Sequence, residues 1–463
     1  MENKTILICL ERLDIGGVET AVYNQTLAFK QKGYDVIVLA KEGIYSKKLE
    51  EKGIICIDFE FRLGNEIEKD KTKEIVKIIK KYNIGQVHIH QFPCLLSAFP
   101  ACLITNTPYV AFVHSRLTEV FDWYINTFSI YKRLFKFYFE NAYKIITLNY
   151  GSIELNSNYF NIDKSKYKVL KNSITFGEYI SETEVKEIKN FMIISRIASE
   201  KIASIQNGIK CFIDYAKTCE NFEGQLAIYG DGPEENMEQI RKYIDEKNVE
   251  KYNIFLAGKT NEVAKEMEKY DVIIGMGRCI IEALATKRLA IVTSPEELKF
   301  LITDTNLYDA IEGNFASNDL KQQTLEYIIE QLKKLNSENI KNITEANYQI
   351  ILKELDMTKN VFCIEEYDTD ENYEMKIIEL WDIQTEELKN QIEESMENSI
   401  NDIQYFKNIA EEKDKIIEEQ KNIIESKEKR NIELFNELNS VYNSKRFKLV
   451  NKIANTLSKG NKK

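Results

Sequence analysis

The chain has 463 residues, 43% of them hydrophobic, enough to fill two domain cores and an extension, because single cores rarely grow past about 250–300 residues. Its 63 Lys and Arg against 74 Asp and Glu give a formal net charge of −11, which excludes a general nucleic-acid binder, since such a protein needs a basic footprint to displace counterions from phosphates. The start, from Met1 to Leu10, is too acidic and too short in its apolar run for a signal peptide, and no window offers about 18 uninterrupted apolar residues, so a cytosolic protein is expected.

Apolar β-type runs alternate with helical patterns from the start. Ile6 to Leu10 reads as a strand, Val18 to Lys32 as a helix stopped by Gly33, and Val36 to Ala40 as a strand; a helix near Lys47 and a strand from Ile54 to Phe61 follow. Next come a helix from Lys73 to Tyr82, a strand from Gln86 to His90, a helix interrupted by proline, and strands from Tyr109 to His114 and Ile145 to Asn149. After Val169 and Leu170 and a polar stretch from Gly177 to Asn190, the rhythm restarts. Strands are expected at Phe191 to Ser195, Leu226 to Tyr229, Ile254 to Ala257, Asp271 to Ile274 and Leu289 to Thr293, with helices between them. Continuous apolar runs, rather than in–out alternation, imply parallel sheets covered on both faces. Two doubly wound α/β units in tandem, residues 1–176 and 189–335, are the economical reading. Ligands in such sheets sit at the carboxyl ends of the strands, where loops feed helix N-termini that favour anions. The crevice between two facing units is therefore the expected site.

Every proline lies at or before Pro295, and no Gly or Pro occurs between Asn314 and Lys459. Residues 336–364 are expected to form a helical segment packing back on the body, and 365–463 a helical or coiled-coil tail. Ile409, Ile416 and Ile423 stand at seven-residue spacing, although Lys, Gln or Asn often fill the intervening core positions. At the end, Lys445, Arg446, Lys448 and Lys452 alternate with Phe447, Leu449, Val450 and Ile453, a basic amphipathic pattern. Self-association through the tail and peripheral contact with a membrane surface are the two partner readings of this segment.

Four segments at strand ends carry candidate chemistry. Asp14 to Glu19, with Gly16 and Gly17, would let backbone amides approach an anion; a tight-turn requirement explains paired glycines equally well. Ser195 to Lys201 places Arg196 and Lys201 after a strand, two cations suited to a diphosphate, where solvated surface charges are the bland alternative. Gly230 to Pro233 closes the next strand, and Gly275 to Ala285, with Gly277, Arg278 and Glu282, opens a helix after another. Four such loops in order at matching strand ends are far more specific than any one of them. Of the three histidines, His88 and His90 stand two positions apart along one strand. His114, ending another strand, is the choice for the catalytic site. The eight cysteines show no CxxC pair and lie mostly within apolar runs, so neither a disulfide framework nor a zinc site is read. An Asp-x-Asp at Asp368 to Asp370 lies in an acidic linker and is read as solvated charge, not a metal site. The aromatic and basic stretch Tyr131 to Phe139 is open to two readings, a membrane contact and a core-packing helix.

Over roughly residues 1 to 310 these motifs resemble glycosyltransferase family 4, a group of retaining enzymes of the GT-B fold. Gly16, Gly17 and Glu19 stand where the family has a Gly-Gly loop and an acidic residue; Ser195 to Lys201 resembles its Gly-Arg-Leu-x3-Lys pattern; Gly230 to Pro233 resembles its Gly-Asp-Gly-Pro turn. Tyr109 to His114 looks like the strand whose histidine lies near the sugar, and Val169 to Ile174, with Asn172, like the segment ending the first domain. The resemblance implies two facing Rossmann-like domains, an acceptor domain at 1–176 and a nucleotide-sugar donor domain at 189–335. It implies that Arg196 and Lys201 hold the donor pyrophosphate, that Glu282 binds the ribose hydroxyls, and that His114 hydrogen-bonds the sugar or phosphate. The expected catalytic set is thus His114, Arg196 and Lys201, with Gly16, Gly17, Gly230, Gly277, Arg278 and Glu282 also at the donor. No cofactor and no metal are expected beyond the nucleotide-diphosphate sugar; the acceptor is a glycan, lipid-linked or protein group. One departure stands out: Ile274 occupies the place of the first Glu of the family's Glu-x7-Glu motif. Chains with Gly-x-Gly-Arg at this place resemble a subgroup, and Arg278 is expected either to handle the donor or to form an i,i+4 pair with Glu282. A binding or scaffold protein that has lost catalysis, and an epimerase on the same fold, are the alternatives.

Overall fold

In the computed structural model of the chain, residues 4–14, 16–114, 119–179, 181, 183–247, 252–260, 262–316, 320–367, 370–445, 448–449 and 452 are described. They divide into two compact units, residues 1–385 and 386–463.

The first unit holds two sheets. One contains β1 (Thr5–Arg12), β2 (Asp35–Lys41), β3 (Ile55–Asp58), β4 (Gln86–Ile89), β5 (Tyr109–Val113), β6 (Lys144–Thr147) and β7 (Tyr167–Val169), in the order β3-β2-β1-β4-β5-β6-β7. All its pairings are parallel. The other contains β8 (Phe191–Ile194), β9 (Gln225–Tyr229), β10 (Asn253–Gly258), β11 (Val272–Gly275), β12 (Leu289–Thr293) and β13 (Leu298–Leu301), in the order β10-β9-β8-β11-β12-β13. Here β12 and β13 pair antiparallel and the rest parallel. The residues Ile6 to Leu10 are fully buried, as a central parallel strand covered by helices on both faces requires. Side chains of alternate parity feed separate cores: Leu7 and Cys9 enter one, Ile6, Ile8 and Leu10 the other.

In each sheet the chain starts near the middle and reverses its direction of winding, between β1 and β4 in the first sheet and between β8 and β11 in the second. These switch points open crevices at the carboxyl ends of the strands. The loops singled out from the sequence leave β1, β8, β9 and β11, so three of the four flank a switch point. The edge strand β13 was not expected, and neither was its antiparallel pairing. The proline-interrupted stretch resolves into a 3-10 turn, Phe92–Leu96, and the helix Ala98–Thr105. Pro100 sits in the first turn of that helix, where its missing N–H leaves no hydrogen bond unmade.

Beyond the second sheet, the helix Ser337–Glu354 leads into an extended segment that returns to the first sheet. Ile174 bridges to Asp356, Val361 and Cys363 pack on one face of the first sheet, and Gln86 clasps the Ile364 backbone with both ends of its amide. The helix Tyr373–Asn443 then begins. Its first turns belong to the body: Leu380 is buried in the core of the first sheet with Ile377, Trp381 and Ile383 against it, and Gln384 accepts the Ile67 amide. The tail expected from residue 365 therefore begins about twenty residues later, at Glu386. Composition changes at 365, but side chains beyond it, Leu380 and Gln384 among them, are still buried.

The second unit is helical to Asn443 and carries a series of exposed apolar side chains, among them Ile392, Met396, Ile403, Phe406, Ile417, Ile424 and Leu438. Of the expected basic end, Arg446, Phe447, Val450 and Ile453 lie outside the described residues, as do Asp368 and Thr369 of the acidic linker. Asp370 is engaged by Lys376. Among the described residues, no helix is long and apolar enough to cross a membrane, and no three His, Cys, Asp or Glu side chains are grouped to hold a metal ion. All eight cysteines are free thiols.

Candidate active site

The first sheet contributes the loop after β1 and the ends of β4 and β5. Gly16 caps the helix Gly17–Gln31 in an extended conformation. A Cβ there would stand 2.1 Å from Glu19 Oε2, so glycine is what lets the Glu19 carboxylate fold back over the cap. Gly17 has open space beside it, and Ile15 is outside the described residues. The Glu19 carboxylate accepts from Gln91 Nε2 at 3.1 Å, and Gln91 Oε1 in turn accepts the Glu11 amide at 2.6 Å. Burial pushes the Glu19 pKa up, against the hydrogen bonds that lower it. His114 follows β5, stacked on His90 with ring centroids 5.2 Å apart, its Nε2 3.0 Å from His90 Nδ1. Burial moves His114 down to about 4 and His90 well below the usual imidazole range, so both are neutral at physiological pH.

The second sheet contributes the loops after β8, β9 and β11. Gly230 has φ +152, and a Cβ on it would stand 1.8 Å from the Ser195 carbonyl oxygen; on Gly232 it would stand 1.9 Å from that of Ile197. Both glycines thus serve by letting the β9 turn press against the loop after β8, which is further pinned by the Ile197 amide donating to the Asp231 carbonyl at 2.9 Å. On the loop so held, Arg196 is mostly exposed and paired with Glu200 at 3.1 Å. Lys201 is half-buried, and among the described residues its ammonium has no hydrogen-bond acceptor and no carboxylate partner. Burial first, and then the neighbouring Arg196 charge, lower its pKa. Two neighbouring cations, one of them partly desolvated, are suited to an anion.

Gly277, with φ +65, caps the helix Arg278–Ala285, a conformation that a side chain would strain. The Arg278 and Glu282 side chains are 7% and 8% exposed, with Nε 3.2 Å from Oε1. Tyr179 donates to the same Oε1 at 3.1 Å. Arg278 Nη1 reaches back to Asn172 Oδ1 and the Ser173 carbonyl, each at 3.1 Å, while Nη2 is buried without an acceptor. Burial raises the Glu282 carboxyl more than Arg278 and Tyr179 lower it. Across the cleft, Tyr45 of the helix Ile44–Glu51 senses the charges of Glu282, Arg278 and Glu19 together, and it stacks on Tyr23 at 4.8 Å. The Asp14 charge likewise reaches Lys259, which pairs with Asp231 at 2.7 Å. The loops of the two sheets therefore face one another.

Residues 15–176 match the model of the family described as Glycosyltransferase Family 4. Over those residues the chain is similar to glycosyltransferase family 4. The whole body has the fold of GT-B glycosyltransferases. It is similar to HepE of Anabaena, in a crystal structure with UDP and glucose, at 15% identity and TM-score 0.57, covering 76% of this chain and 96% of that one. A glycosyltransferase of Rickettsia africae matches at 17% identity and TM-score 0.56, over 84% of this chain and 100% of that one. Sucrose-phosphate synthase of Thermosynechococcus elongatus matches at 12% identity and TM-score 0.53, over 85% and 100%. No curated protein matches the chain in sequence.

Within this GT-B body the structure brings Arg278, Glu282 and the 172–173 segment into direct contact, and sets Gly16, Glu19 and His114 on the facing sheet. Arg278 forms the i,i+4 pair with Glu282, and in addition it ties the helix Arg278–Ala285 to Asn172 and Ser173 at the end of the segment that matches family 4, a contact that spacing along the helix does not reveal. Ile274, at the place of the family's first Glu, is 1% exposed and lies within β11 in the core, over Gly208 of the helix Ile202–Lys217. Tyr179, Gln91 and Tyr45 were not singled out from the sequence. Each acts through a partner distant in the chain, and no motif announces it.

Proposed function

We propose that the chain transfers a sugar from a nucleotide-diphosphate sugar to a glycan, lipid-linked or protein acceptor, with retention of anomeric configuration and without a metal ion, in bacterial surface polysaccharide or glycoconjugate synthesis. The observation that carries this reading is the Lys201 ammonium, desolvated beside Arg196 and without an acceptor of its own. A retaining transfer develops negative charge on the departing diphosphate, and fixed cations stabilise it with no reorganisation during the reaction, each donor contributing on the order of 3 kcal/mol. Arg196 leaves Glu200 to join Lys201 on the diphosphate, with the backbone at Gly16, Gly17, Gly230 and Gly277 lining the approach. Glu282 takes the ribose hydroxyls, and Arg278 holds Glu282 in place. His114 hydrogen-bonds the transferred sugar or its phosphate. The tail supports self-association, and its basic end supports peripheral contact with the cytoplasmic face of a membrane. HepE, with UDP bound, supports a uridine nucleotide as the first donor to try.

Calorimetry with a panel of nucleoside diphosphates tests the reading. Lys201→Ala and Arg196→Ala are each expected to weaken binding by about 100-fold; affinities equal to the parent's would remove the diphosphate assignment. A donor-binding scaffold without turnover is the second reading, favoured by Ile274, whose place in the core leaves the sugar without the carboxylate the family pattern puts there. Donor hydrolysis by the full chain separates the two.

A further inference from the structure

The three histidines form a row, His88 on β4, His90 directly after it and His114 after β5, with Phe112 stacked against His90 at 3.9 Å. Only His114 is not fully buried. Burial moves His88 down to about 3, so all three imidazoles are neutral; each carries one proton, and the surroundings decide on which nitrogen.

His88 is settled by Gln86. The Gln86 amide accepts the Ile364 N–H through Oε1 at 3.0 Å and donates to the Ile364 carbonyl through Nε2 at 3.3 Å, which fixes its orientation. Oε1 is also 3.0 Å from His88 Nε2, so His88 donates from Nε2, and its Nδ1 is a bare lone pair, consistent with that atom being buried without a partner.

His90 and His114 share one hydrogen between Nδ1 and Nε2. Were His114 the donor, His90 would carry its proton on Nε2, and that atom is buried with no acceptor. A buried N–H without an acceptor is much rarer in folded proteins than an acceptor with an unused lone pair. His90 therefore donates from Nδ1. His114 Nε2 is occupied as an acceptor, and its own proton must sit on Nδ1.

We infer that His90 is a positioning residue that locks His114 in the Nδ1–H tautomer, so that His114 presents a hydrogen-bond donor to the cleft and not a base. The inference deepens the glycosyltransferase reading, on which it rests for what His114 touches: an oxygen of the donor sugar or phosphate, never a hydroxyl proton to be removed. It also assigns His90 a role that burial alone would leave structural, since Phe would fill the same stacked position.

Nitrogen NMR of the full chain labelled with [15N]histidine reads the tautomers directly, and three histidines keep assignment simple. Expected at neutral pH are protons on Nε2 of His88, Nδ1 of His90 and Nδ1 of His114. A proton on His114 Nε2 would overturn the inference. His90→Phe keeps the stack and removes the donor, so His114 should move toward the Nε2–H form that a free imidazole favours, with kcat/KM for the nucleotide sugar falling at least about tenfold. His90→Asn places an amide N–H near the lost Nδ1–H and should keep both the tautomer and most of the rate. An unchanged His114 tautomer in folded His90→Phe would also refute the lock. If the parent spectra show the expected tautomers while no nucleotide sugar is turned over, the lock stands and the transferase reading falls.

Discussion

Replacing Arg278 with Leu tests whether the buried pair ties the two halves of the site. In the parent, Nε lies 3.2 Å from Glu282 Oε1, and Nη1 donates to Asn172 and to the fully buried Ser173 carbonyl. At an effective dielectric near 20 the Coulomb attraction at that distance is about 5 kcal/mol, against which the cost of desolvating the guanidinium must be set. Removing one partner of such a pair typically costs about 3–5 kcal/mol, because the other charge stays buried and unpaired. An orphaned Ser173 carbonyl adds about 1 kcal/mol, and burial of leucine returns about 1–2 kcal/mol. The expected loss is about 3 kcal/mol, or roughly 6–12 °C in Tm for a domain of this size. Burial already holds the folded-state pKa of Glu282 above its unfolded value, so its contribution is fully present below the unfolded carboxyl pKa and lost as pH rises through the folded one. Without Arg278 the folded value rises further, so the Tm deficit of Arg278→Leu should be largest at alkaline pH and narrow on acidification. Adding Glu282→Gln removes the unpaired charge and should recover about half of the loss. Calorimetric melting across pH checks this. A deficit under about 2 °C, or one independent of pH with additive double-mutant losses, would refute the tie.

Lys201 has its folded pKa lowered by burial and by Arg196, so free protein should lose the charge at lower pH than an exposed lysine, and diphosphate binding should restore it. Calorimetry in buffers of different ionisation heat should then show proton uptake on binding at alkaline pH, absent in Lys201→Met; equal uptake in both would move the effect elsewhere. A chain ending at Thr385 should keep the parent's Tm and lose self-association, whereas one ending at Glu365 should melt lower, because Leu380 and its neighbours leave the core of the first sheet. Light scattering and melting curves decide both, and equal Tm for the two truncations would sink the boundary. Ile274→Glu, which restores the family's carboxylate, should lower Tm by the equivalent of several kcal/mol without raising transfer, since the side chain enters the core; a gain in kcat would show that the position opens to the sugar.

The parts of the site legible in the sequence were those governed by the backbone of a single strand-to-helix unit. Apolar runs such as Ile6 to Leu10 and Val272 to Ile274 mark buried parallel strands, and glycines, cations and helix starts beyond them mark the loops at the switch points. What was not legible depends on where distant segments meet. Tyr179 reaches Glu282 over 103 positions, Gln91 reaches Glu19 over 72, and Gln384 caps Ile67 over 317. None of these residues departs from ordinary composition around it. The strand Leu298–Leu301 was missed because its four residues are short and carry a lysine, Lys299, that is buried all the same and pairs with Glu297.

Ile274 shows why motif position and side-chain direction must be read together. Along β11, successive side chains alternate between the two faces of the sheet: Ile274 enters the core with Val272, and Ile273 enters the opposite one. The loop that faces the cleft begins only after Gly275, where the Cβ of any larger residue would stand 2.5 Å from Cys279 Sγ. A carboxylate at 274 would need the strand to end a residue sooner. With the strand continued to Gly275, isoleucine is the residue the position demands. The charges nearest the loop then come from the helix beyond it, from Arg278 and Glu282, held by Tyr179, Asn172 and Ser173. The place of the family's first carboxylate is thus taken into the core, and the charges nearest the loop are those of the helix that starts after it.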